Sequence, residues 1–568
     1  MNVFFRGLLA VGAPLFYLER VDQHTLKHGF MNTSTPSISV DNETPQTTAS
    51  DKYSARFMGK YLFSKDHQIV AKHYLLGAIF WALLGGLISV AFRIYVVDPA
   101  ADLSWLKPMF GSWIGTAEHP ERFNGIYYHA VVSIHGILMV YFVAAGALIG
   151  LAYYLVPGLC EKQEMASPKL SSLALGLYWF AGIALFFALF FQNTPLGGWR
   201  TNPILNALLY NGQASIPWLF GIILLSVAFF LSCLNIFSTL HPFRLSKTPQ
   251  EFSIIHWSFY WFGGMGVLFF LLFGVVQLLN LSGNLLGGSI LFGDYFGTGI
   301  EDLTAQNHLE HQFWFLGRPE MFLIGLPAIG IVSDILTKQM DQNMFGRRVI
   351  IWSMGIIGAV ALVIWLFQNF DAASQAWKLN LMATLGAVQA IAIMSIAISW
   401  LVTFLRGGKL RYNPALLFVI GSISVLLTGG LLGYFVSNPV LSIEMHNSYY
   451  EVTYFHLVIG IGAMYAIFAA IYQYYPQMFG RQLLATLGSV HFWGTFMFTY
   501  LFLFALLING YLGIPRGLPQ FKDFETLSTS AQSQELITFA AVAIFTMQII
   551  FLSNLVYCYW KGKVYQEQ

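Results

Sequence analysis

Twelve separate runs of about 20 mostly apolar residues recur along the 568-residue chain. Each is long enough to cross a bilayer as a helix. They fall near 74–96, 126–155, 172–192, 215–239, 255–279, 311–335, 349–369, 379–404, 413–436, 451–475, 484–510 and 535–560. Inside a bilayer every backbone N–H and C=O must be satisfied within the protein, so such runs become helices. The expected fold class is an all-α membrane protein with twelve transmembrane helices. Only 10% of residues are charged and the formal net charge is +2. That excludes a soluble globular domain and gives no sign of a nucleic-acid partner. Three scattered cysteines, Cys160, Cys233 and Cys558, make neither a disulfide framework nor a thiolate metal site.

The spans define three segments. Residues 1–70 are an N-terminal interfacial segment and linker, 71–562 the twelve-helix membrane domain, and 563–568 a short tail. The first apolar stretch, MNVFFRGLLAVGAPLFYLER, reads as an interfacial segment, with a signal-like segment as the alternative. An even number of spans puts both termini on one side of the lipid bilayer. That side carries 21 of the 29 Lys and Arg residues and the opposite loops carry 7. The positive-inside rule then makes both termini cytoplasmic.

Two histidines lie deep in spans of the same direction. His135, in YYHAVVSIHGILMVYF, falls ~13 Å below the start of its helix at 1.5 Å per residue, and His456, in YYEVTYFHLVIGIGAMYAI, falls ~10 Å below its own. Imidazoles at matching depth can grip one metal from opposite sides, and a haem iron takes axial ligands in that way. The alternative for each is a hydrogen-bonded core histidine. His129, His256 and His491 have no partner at matching depth and read as packing residues. Arg318 and Glu320, in HQFWFLGRPEMF, place charge within a span, where it is costly and seldom incidental.

Several motifs, in order and in register over roughly residues 60–560, resemble subunit I of the haem–copper oxidases. MHNSYYEVTYFHLVIGIGAMYAI resembles that family's tenth helix and HQFWFLGRPEMF its sixth. YLVPGLCEKQEMASPKLSSLALGLYWF resembles its second inner connection, PLGGWRTNPIL the next outer loop, and LGIPRGL the turn that binds haem propionates. The resemblance implies a low-spin haem, of type a or b, held by His135 and His456, with Arg516 on a propionate. The second arginine of the family's propionate pair is Gly517 here.

The same resemblance shows what is missing. The family's high-spin haem ligand stands two residues before the low-spin one, and here that residue is Tyr454. Its three copper ligands correspond to Arg318, Phe367 and Gln368, and its redox tyrosine to Phe322. Arginine stays protonated, phenylalanine has no donor atom, and glutamine alone is a poor ligand, so no copper is expected. Tyr454 leaves two readings: a cavity filled by Tyr454, Phe322 and Phe367, or a tyrosine-ligated second haem. Glu164 and Glu320 stand at the entrance and inner end of one of the family's proton channels, as a surviving path or as packing. The lysine of another channel falls near Ile396.

The expected function is a low-spin-haem pseudo-oxidase subunit of a respiratory terminal oxidase complex, carrying electrons or bracing a catalytic partner. The alternatives are an active oxidase or nitric-oxide-type reductase using Tyr454, and a haem-free structural subunit. Expected partners are subunit II-like and subunit III-like chains and a catalytically competent subunit I paralogue, in a bacterial inner membrane.

Overall fold

The computed structural model describes residues 64–116, 118–190, 216–241, 251–286, 319–367, 376–408, 412–438, 441, 445, 448–516 and 530–566. The N-terminal interfacial segment, Arg318, Gln368 and Gly517 lie outside the described residues, as do the side chains of His129, Glu320, Phe322 and Phe367.

Twelve described helices are long and apolar enough to cross a membrane. They are His67–Val97, the composite second span, Pro168–Phe190, Ile216–Leu240, Ile254–Leu286, Pro319–Met340, Arg347–Phe367, Ala376–Leu405, Pro414–Val436, the composite tenth span, Ala485–Tyr511 and Ala531–Lys561. Every expected run has its helix. The fifth continues past the expected run, to Leu286. The sixth is described only from Pro319, so residues 311–318 of that run lie outside the described residues.

Local chemistry sets the ends. Asp66 caps the first span by accepting from the Gln68 N–H at 2.8 Å. Asn413 caps the ninth, with Pro414 at its first position, and Ser448 caps the tenth. Gly480 closes the tenth span with φ +68°, a conformation that glycine adopts without strain.

Most successive spans pack side by side, the third lying against the fourth and the first, and the twelfth meets the first and the sixth meets the tenth. The second span is 83% buried across its most apolar window and the twelfth only 17%. The second is therefore central and the twelfth peripheral. Arg93, a cation inside the first span, is buried and fixed to the twelfth, donating to Gln534 Oε1 at 2.7 Å and Thr538 Oγ1 at 3.1 Å. On the far side, residues 98–127 fold over the bundle, with Phe110 stacked on buried Trp113.

Candidate haem site

The two deep histidines share one local architecture. The second span runs as an α-helix over Tyr128–Ile137, widens to a π-helix over Leu138–Ala145, and resumes as an α-helix over Gly146–Leu159. The tenth does the same, α over Tyr449–Phe455, π over His456–Ile461, α over Gly462–Phe479. His135 lies in the last turn of the first α-segment of its span and His456 opens the π-segment of its own. Such bulges collect at functional sites because they turn side chains out of the regular helical register.

Each ring is oriented through the same nitrogen. His135 Nδ1 donates to the Gly85 carbonyl of the first span at 2.9 Å. His456 Nδ1 donates to the Val452 carbonyl at 2.8 Å. A carbonyl only accepts, so the proton sits on Nδ1 and the Nε2 lone pair is available to a metal. Metal-binding histidines are characteristically held this way. Gly85 lets the second span approach, since a methyl group there would lie 3.0 Å from Met139 Sδ. Phe92 meets the His135 ring edge-on, and Phe455 and Phe502 meet His456 edge-on, all with centroids 5.7 Å apart.

Both imidazoles lie deep within the bundle, yet both keep accessible surface, which at that depth faces an internal space. The π-segments of the two spans touch each other. Two imidazoles with free Nε2 atoms, on spans whose π-segments touch, are a donor set of the kind that a bis-histidine haem takes. The residues present fit that group.

Arg516 follows the eleventh span, at the membrane face where the tenth span begins. The turn that carries it is tied to the tenth span by a bridge between Ser448 and Pro515 and by the Tyr449 N–H donating to the Ile514 carbonyl at 3.0 Å. Arg516 Nη1 pairs with Glu451 Oε2 at 3.0 Å. Glu451 precedes His456 by five residues, ~7.5 Å along the helix. Arg516 is a third exposed, so its contribution to an anionic haem edge is that of a partly solvated pair, about 0.2–1 kcal/mol. Arg516→Gln is expected to weaken haem retention by less than about tenfold, measured by haem-transfer kinetics, with the low-spin spectrum intact.

Tyr454 points elsewhere. A methyl group on Gly433 of the ninth span would stand 2.9 Å from its ring and 3.0 Å from its hydroxyl. The ring therefore rests directly on that glycine. One turn earlier, the Tyr450 hydroxyl donates to the Leu432 carbonyl at 3.2 Å. The backbone of Glu320, Phe322 and Phe367 lies in the sixth and seventh spans. Among the described residues no three of His, Cys, Asp and Glu come together as a metal site.

Residues 69–546 match the family described as cytochrome c and quinol oxidase polypeptide I. The chain belongs to that family. It is 29% identical over 514 residues to the alternative cytochrome c oxidase subunit 1 of Bradyrhizobium diazoefficiens, covering 89% of this chain and 84% of that one. It is 28% identical over 531 residues to cytochrome c oxidase subunit 1 of Thermostichus vulcanus, covering 92% and 89%. A haem–copper terminal oxidase dimer solved by cryo-electron microscopy has the same fold, with TM-score 0.70 over 88% of this chain and 85% of its own at 15% identity. The protein is thus a multi-pass membrane member of the haem–copper oxidase subunit I family.

Glu164 and Ile396, which the resemblance sets at or near proton-channel positions, fall in two separate regions. Glu164 lies exposed in the connection between the second and third spans. Inward of it runs a set of direct hydrogen bonds. Asn235 Nδ2 donates to the Ser167 carbonyl and to Ser171 Oγ, both at 2.9 Å, and Ser232 Oγ lies 3.1 Å from the Tyr74 hydroxyl and 3.4 Å from that of Tyr153. In the other region Ile396 is fully buried, and Trp400 of the same span donates its indole N–H to Ser333 Oγ at 2.8 Å. An indole stands between the eighth and sixth spans there.

Sequence reasoning singled out the two histidines and Arg516 but not Glu451, the Gly85 carbonyl or the seat of Tyr454 on Gly433. Glu451 left a trace, an acid in the first turn of the span that carries His456. The Gly85 carbonyl left none, because a backbone acceptor has no residue-type signature.

Proposed function

We propose that this chain is a one-haem pseudo-oxidase subunit of a terminal oxidase complex. The observation that carries the reading is the shared state of His135 and His456: both Nδ1 atoms are locked on carbonyls, and both Nε2 atoms are left for one iron. Held there by His135 and His456, a low-spin haem of type a or b would supply one-electron transfer. The protein's own residues fix the ring planes, Phe92, Phe455 and Phe502 keep the imidazoles in an apolar shell, and Arg516 with Glu451 adjusts the charge at the outer edge.

The oxygen-reducing centre is absent in this reading. The position of the family's high-spin haem ligand holds Tyr454, seated on Gly433, and Arg318, Phe367 and Gln368 replace the copper ligands. Arg318 supplies a cation where the metal's charge has gone. Glu164 and Glu320 are remnants of a proton path: the asparagine–serine contacts inward of Glu164 are made directly and already use the Asn235 amide. Without its own terminal acceptor, the chain works beside a competent subunit I paralogue, with subunit II-like and subunit III-like partners. Lys65, Lys169, Lys338, Arg347, Arg481 and Lys561 all lie at one membrane face, which supports reading that face, and with it both termini, as cytoplasmic.

Haem and metal analysis of the purified chain tests this reading. One haem per chain and no copper is the expected result. Two haems, one of them high-spin, would support a Tyr454-ligated active enzyme instead, and a haem-free chain would support a structural subunit.

A further inference from the structure

A groove of about 320 Å³ opens on the outside of the bundle where the start of the first span meets the third. One end is cationic, lined by Lys65, just ahead of the first span, and Lys169, the second residue of the third. Both belong to the same membrane face, because two crossings separate them. Neither is in an ion pair among the described residues; the neighbouring Asp66 carboxylate accepts from the Gln68 N–H at 2.8 Å. Ser172, one turn inward, adds a hydroxyl.

Beyond Ser172 the lining is apolar. Leu173, Gly176, Leu177 and Phe180 follow one another along one face of the third span at helical spacing. Gly176 forms a dent in that face, since a methyl group there would meet nothing within 4 Å. From Lys169 to Phe180 is eleven residues, ~16 Å of helix, about half of a ~30 Å hydrocarbon core. The groove therefore has the polarity and reach of a single lipid in one leaflet, with two cations at headgroup level, a hydroxyl below them, and an indented apolar track extending to mid-membrane.

We propose that this groove is a binding site for one anionic glycerophospholipid. Its phosphate is held by Lys65, Lys169 and Ser172, and one acyl chain lies over Gly176 between Leu177 and Phe180. Lysine stems lying along apolar surface, with the ammonium at the interface, suit this arrangement. Each lysine near a membrane surface favours an anionic headgroup by about fivefold, so the pair favours it by about twenty- to thirtyfold.

The test uses the native complex in nanodiscs of mixed phosphatidylglycerol and phosphatidylcholine, with retained lipid read by native mass spectrometry. The double variant Lys65→Gln/Lys169→Gln is expected to lose its preference for phosphatidylglycerol by about twenty- to thirtyfold. Gly176→Leu is expected to displace the retained lipid whatever its headgroup. Unchanged retention of phosphatidylglycerol in both would overturn the site. A benzophenone amino acid at position 180 in the otherwise unaltered complex gives an independent readout. A lipid-mass adduct supports the proposal, and an adduct with another subunit would show a protein on this face and overturn it.

Discussion

His456→Ala and His135→Ala are each expected to abolish the low-spin haem spectrum completely. A six-coordinate haem with two imidazole ligands needs both. His491 is the natural control. It is fully buried, but both its nitrogens are engaged, Nδ1 with the Tyr472 hydroxyl at 3.1 Å and Nε2 with Gln548 Oε1 at 3.2 Å. It has no lone pair to spare, and its ring is surrounded by Phe418, Phe468 and Phe551. His491→Ala is expected to cost stability, about 1–3 kcal/mol for buried groups left unpaired, and to leave the haem band in place. The two site variants are expected to show the opposite pattern: no haem, with the bundle still assembled. Reduced-minus-oxidised spectroscopy together with thermal unfolding of the three variants separates the two outcomes.

Gly510→Val is expected to have the second-largest effect, at a position that touches no haem ligand. Gly510 lies in the eleventh span where it crosses the start of the tenth. A methyl group there would stand 2.6 Å from Tyr450 Cα and 2.8 Å from Tyr450 Cβ. These are backbone or backbone-fixed atoms, so no rotamer change relieves the clash, and the tenth span must move. Overpacking of a tight contact costs about 1–3 kcal/mol. Here the displaced segment also carries Glu451, Tyr454 and His456. The variant is expected to lose both thermal stability and haem, whereas Gly158→Ala, where a methyl group meets nothing within 4 Å, is expected to be neutral. Thermal unfolding and haem content in detergent measure both. A Gly510→Val protein with wild-type haem content would show that the packing of these two spans does not set the position of His456.

The spans were legible because a bilayer imposes a length and a composition that survive averaging over residues. His135 and His456 were legible as a pair because depth along a helix follows from counting residues. The orientation of their rings was not, because it depends on the Gly85 carbonyl of a different span and on π-helical turns that no residue type signals. The Arg516–Glu451 pair was half legible: the arginine sits in a recognisable turn, but its partner is set by a bridge between residues 67 positions apart, Ser448 and Pro515. The seat of Tyr454 on Gly433 follows from close approach of the ninth and tenth spans, where the absence of a side chain decides the contact. Arg318, with which the unusual chemistry of this sequence begins, lies outside the described residues, and its role as a stand-in for metal charge rests on the family pattern alone.

The most direct test of the account is the response of the native complex to carbon monoxide, read with and without His456→Ala in this chain. The account predicts a low-spin signal that carbon monoxide does not perturb and that the variant removes, while any carbon-monoxide-sensitive signal from a catalytic partner persists unchanged. A carbon-monoxide-sensitive, high-spin signal that depends on Tyr454 of this chain would contradict it.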